Sequence, residues 1–86
     1  MAQEIVAYVK HQYVEPARHK GEKQIVIRAG DVHDEMKLAN RQPLVCDTLR
    51  GAELQKQRNI RLIDERPGKN VHTHHARNIW YTFELP

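Results

Sequence analysis

Side chains able to do recognition chemistry gather in two stretches of the chain. The first is Asn40-Arg41-Gln42-Pro43-Leu44-Val45-Cys46-Asp47-Thr48-Leu49-Arg50. Guanidinium and carboxamide groups such as those of Arg41, Gln42 and Arg50 can make paired hydrogen bonds to the edge of a guanine or an adenine. Asp47 can accept from cytosine N4 or orient an arginine, and Leu44 can touch a thymine methyl. Asn40 opens this stretch, and the same residues also suit a merely solvated helix face. The second stretch is Arg66-Pro67-Gly68-Lys69-Asn70-Val71-His72-Thr73-His74-His75-Ala76-Arg77. It holds Arg66, Lys69 and Arg77 with three histidines and no carboxylate, a composition suited to phosphate or minor-groove contacts from a loop. His72, His74 and His75 could also collect a divalent cation, histidine being the commonest metal ligand. A two-residue step along a loop does not close such a site, and no second cluster completes it. No metal and no cofactor is expected.

Catalytic constellations are missing. The chain has no serine, its four glycines are scattered rather than set in a phosphate-binding loop, and Asp64-Glu65 has no carboxylate partner nearby in sequence. No enzyme activity is expected. Cys46 is the single cysteine. It cannot form an internal disulfide and reads as a small buried apolar residue in a reducing, cytoplasmic setting.

The elements that must position these residues follow from apolar spacing. Val32 and Met36 lie four apart on a short helix over Asp31–Lys37, with Gly30 as its N-cap. Leu38-Ala39-Asn40 breaks the pattern. Asn40 then suits the N-cap of a second helix with Pro43 in its first turn, where a missing N–H is harmless. On that helix Val45, Leu49 and Ala52 form the inner stripe, beside Cys46. The outer face shows Pro43, Leu44, Asp47, Arg50 and Leu54. Gly51 weakens the helix, Ala52–Arg58 either continues it past a bend or forms a separate last turn, and Asn59 ends it. A short helix, a turn and a longer helix make either a plain helical hairpin or the helix-turn-helix unit, whose second helix enters the major groove.

Around this unit, residues 2–17 read as an amphipathic helix with Ala2, Ile5, Val6, Val9, Tyr13 and Ala17 inward and Tyr8 and Val14 off the stripe. Pro16 should end or kink it near Val14. Gln24–Arg28 is rich in β-branched residues and reads as a strand. Ile60–Glu65 is a second strand, and Asn78–Leu85 a third. In the third, Ile79, Tyr81, Phe83 and Leu85 face the core and Trp80 the opposite side.

A chain of 86 residues carrying 29% charged and 40% apolar residues suits one globular domain of α+β class. The formal net charge of +3 falls entirely in the second half: residues 1–40 balance six Lys/Arg against six Asp/Glu, while residues 41–86 set eight against five. That asymmetry suggests a polyanionic partner on one side. No apolar run reaches membrane-spanning length, and the N-terminus lacks the layout of a signal peptide, so no membrane partner is expected.

The order helix, strand, helix, helix, strand, basic loop, strand resembles the winged helix-turn-helix domain over nearly the whole chain. The resemblance implies that Gln24–Arg28 pairs with Asn78–Leu85 in a small antiparallel sheet, and that Arg66–Arg77 is the wing. It implies binding to double-stranded DNA, as a small transcriptional regulator or DNA-targeting subunit. The recognition helix would contribute Asn40, Arg41, Gln42, Leu44, Asp47 and Arg50, and the wing Arg66, Lys69, His72, His74 and Arg77. Some domains of this kind hold protein partners instead. A homodimer would extend the small contact area of one module.

Overall fold

Three strands, β1 (Gln24–Arg28), β2 (Arg61–Pro67) and β3 (Ile79–Glu84), form an antiparallel sheet in the order β1-β3-β2. The computed structural model describes residues 2–68 and 77–86. β3 is central because its alternating apolar side is buried while both of its edges are hydrogen-bonded. Ile25 lies opposite Phe83 and Ile27 opposite Tyr81 on one side, and Leu62 opposite Phe83 on the other. The expected inward set is seen: Ile79, Tyr81, Phe83 and Leu85 are buried and Trp80 is exposed.

The sheet's apolar face is covered by helices. The N-terminal segment runs as α1 (Ala2–Val9), a π-helical turn (Lys10–Val14) and α2 (Glu15–His19). Of the two outcomes expected at Pro16, the helix does not end; it is distorted just ahead of the proline, by the π-helical turn that closes at Val14. The Glu15 N–H reaches back to the Lys10 carbonyl, widening the turn just ahead of the proline, whose ring then sits in the first turn of α2. The wide turn also shifts the helical phase, so Val14, expected off the stripe, is fully buried and Tyr13 only half so.

β1 runs directly into α3 (Ala29–Glu35), and α4 (Gln42–Arg50) and α5 (Ala52–Arg58) follow. Arg28, not Gly30, occupies the N-cap of α3, and Gly30 is buried in its first turn. Between α4 and α5, Gly51 adopts extended backbone (φ −76°, ψ 156°). The break resets the helical phase: Ala52, expected inside, is exposed, and Leu54, expected outside, is fully buried. Asn59 ends α5 in the left-handed conformation, as an exit residue should. β2 runs on through Pro67, further than expected, because it is an edge strand and the missing N–H leaves no ladder bond unmade. A bulge between Leu62 and Asp64 makes Ile63 the extra residue.

The core joins Ile5, Val6, Val9, Val32, Val45, Leu49, Leu54 and the inward sheet residues. Among the described residues, no helix is long and apolar enough to cross a membrane.

Candidate nucleic-acid interface

The turn between α3 and α4 is tied by a buried imidazole. His33 Nε2 accepts the backbone N–H of Arg41 at 3.2 Å, which for a neutral ring places the proton on Nδ1, facing Asp34 Oδ1 at 3.5 Å. Lys37 and Asn40 both take positive φ (56° and 54°), so two left-handed residues reverse the chain in a short space. Asn40 consequently is not the cap of α4. Arg41 is, and its carbonyl accepts the Val45 N–H at 3.0 Å. Lys37, Asn40 and Arg41 are all exposed at this corner, and Pro43 follows in the first turn.

The residues expected to read bases separate into two groups here. Gln42 precedes Val45 by three and Cys46 by four, so it shares their inward face, and both polar atoms of its side chain are buried. Arg50 is drawn to the sheet: its guanidinium meets Asp47 at 3.0 Å and Glu65 of β2 at 3.6 Å. It lies beside the buried Tyr81 phenol, whose pKa is pushed above its ordinary range by burial and by the Cys46 thiol. Asp47 is exposed and pairs with Arg50 at 3.0 Å. Leu44 is half-buried. With Ala2, Val6, Thr48 and Gly51 it lines a shallow, mainly apolar hollow of about 260 Å³ between α1 and α4, with Asp47 and Glu53 at its margin.

The chain entering β3 is bolted to α3. The Gly30 N–H donates to the Arg77 carbonyl at 2.9 Å, and the Arg77 guanidinium grips Asp34 with both ends, one of them at 2.8 Å. A Cβ at Gly30 would stand 3.0 Å from Arg77 Cβ and 3.1 Å from its carbonyl oxygen, so a side chain there would have to push Arg77 back by a few tenths of an ångström. Arg28 bonds Asp31 at 2.7 Å and the Asn78 side-chain oxygen at 2.6 Å, and the Gly68 N–H donates to the Asn78 carbonyl. Arg66 stands exposed on β2, with Asp64 at 3.5 Å. Lys69, His72, His74 and His75 lie outside the described residues.

Arg28, His33, Asp34 and Asn78 are the positioning residues that sequence reasoning missed. A carboxylate next to a histidine on a short helix gave no sign that a distant arginine would close on it. Tyr8 and Tyr13 add a comparable clasp, both donating to Glu35 Oε1, at 2.7 and 2.9 Å, and so fastening the N-terminal helix to α3. Among the described residues, no group of three or more His, Cys, Asp or Glu side chains is placed to hold a metal ion. No protein-family model, curated protein or solved structure matches the chain, and the functional reading rests on this geometry.

Proposed function

We propose that the chain is a winged helix-turn-helix domain that binds double-stranded DNA, as a small transcriptional regulator or a DNA-targeting subunit. The observation that carries this reading is the anchoring of the wing to α3 through Gly30, Asp34 and Arg77. α3 also bears, through His33, the corner that exposes Lys37, Asn40 and Arg41. One short helix thus ties the entry to α4 and the root of a basic hairpin loop into a single rigid support. In this arrangement Arg41, with its forked donors at the start of α4, is the base reader. Gln42 and Arg50 serve the fold, and Lys69 with the wing histidines meets phosphate.

The test is the salt dependence of binding to duplex DNA. If about four cations meet phosphate, log K against log salt should fall with a slope near −3.6, roughly a 150-fold loss between 50 and 200 mM. Arg41→Ala should lower preference for a site selected from random DNA, whereas Lys69→Ala should weaken all sequences alike. A second reading, a winged-helix protein-interaction module, is favoured by the apolar hollow around Leu44 with Asp47 and Glu53 at its margin. Absence of duplex binding even at low salt would decide for it.

A further inference from the structure

The face of the sheet turned away from the helices carries its own pattern. By strand register, Arg28 of β1 and Arg66 of β2 both lie opposite Trp80 of β3, so the row nearest the wing reads Arg-Trp-Arg. The Arg28 guanidinium lies 5.7 Å from the centre of the indole, a cation–π distance, and Asp31 and Asn78 fix it there. Gly68 runs close to the ring edge: a Cβ there would stand 3.0 Å from Trp80 Cζ3. Arg66, across the ring from Arg28, has 77% of its side chain exposed. The next row holds Val26, Thr82 and Asp64, and Glu84 pairs with Arg61 at the far end. Among the described residues, Val26, Ile63 and Trp80 are the exposed large apolar side chains, and β1, β2 and β3 each supply one.

We propose that this row is a stacking platform for an unpaired nucleobase, so that the domain holds single-stranded nucleic acid on its open sheet face. An indole stacks on any base through its π face, and a guanidinium beside it takes the adjoining phosphate. Charge selects this occupant over an apolar protein surface at the wing end. From Arg66 to Arg77 the chain carries three Lys/Arg and three histidines without a carboxylate. Among the described residues, three acids stand at this end, Asp31, Asp34 and Asp64, and each faces an arginine, Arg28, Arg77 and Arg66, so the charge left over is that of Lys69 and the histidines. The platform lies on the sheet face opposite the helices, so it goes beyond the duplex reading and does not depend on it.

Trp80 is the chain's single tryptophan, so emission excited at the red edge of its absorption, where the three tyrosines do not absorb, reports on this face alone. The experiment titrates the full chain with a short oligothymidylate, with a fully paired duplex and with heparin, a polyanion that has no bases. Oligothymidylate should quench the emission and heparin should not. By anisotropy of a labelled oligothymidylate, Trp80→Ala should bind about tenfold more weakly and Trp80→Phe should recover most of the loss, with duplex affinity unchanged in both. The proposal is overturned if heparin quenches as strongly as oligothymidylate, if oligothymidylate does not quench, or if a folded Trp80→Ala binds it as the wild type does. Should Trp80→Ala fail to fold, the wild-type quench and Trp80→Phe still decide. Quenching by oligothymidylate without any duplex binding would leave this platform standing and remove the duplex reading.

Discussion

Asp34 shows how much a single exposed side chain can organise. Its carboxyl is held down to about 2 by the Arg77 guanidinium, against desolvation that pulls the other way, with His33 adding to the lowering. The unfolded chain lacks that arginine, so its carboxyl takes up a proton at the ordinary value near 4, before the folded one does. The stabilisation is therefore present above about pH 4 and is lost as pH falls from there toward about 2. The pair is open to solvent, so its contribution is modest. Urea midpoints of the wild type and Asp34→Asn should differ most near neutral pH and converge as pH drops through that window. A gap that stays constant down to pH 2 would mean that Arg77 is held by its backbone contact to Gly30 alone.

At the scale of elements, Gly51 carries the clearest consequence. A helix continued through it would bury Ala52 and expose Leu54, whereas the extended backbone at Gly51 does the reverse. Leu54→Ala should thus lower stability by about 2–5 kcal/mol, and Ala52→Gln should stay within about 0.5 kcal/mol, both read from urea unfolding. The opposite order would restore the unbroken helix. These two residues also mark where sequence ceased to be readable. Periodicity gave β3 its correct faces, because a central strand is judged by alternation alone, and it placed β1 and the α3–α4 pair. It could not show the π-helical turn at Lys10–Val14, since that turn has no composition of its own and simply moves every later residue around the axis. The candidate site divides in the same way. Arg41 was readable because its exposure follows from its place at a helix start. Arg50 was not, because Glu65 reaches it from a strand far along the chain, and neither was the approach of Arg28 to Trp80.

For the whole molecule, the question is how 86 residues hold a sheet with one face open to water. The sheet's other face must then supply most of the burial, and β3 is where it concentrates: Tyr81 and Phe83 are both fully buried, between β1 and β2 and beneath the helices. Phe83 faces Ile25 on one neighbour and Leu62 on the other, so its ring ties all three strands to the helical layer. Removing it takes away apolar burial and leaves a cavity that a stiff central strand cannot close, a combined loss of about 3–5 kcal/mol. Small domains hold only about 5–15 kcal/mol in total, so this is a large share. Phe83→Ala should show a much lower urea midpoint and an early thermal transition, while Thr82→Ala, its outward neighbour, should stay within about 0.5 kcal/mol of the wild type. Circular dichroism and tryptophan emission should follow the transition together, since Trp80 stands on the same strand. If the emission changed well before the helical signal, the hairpin would be unfolding apart from the helices. Arg77 would then lack its rigid root on α3, and the proposed duplex binding would lose its support.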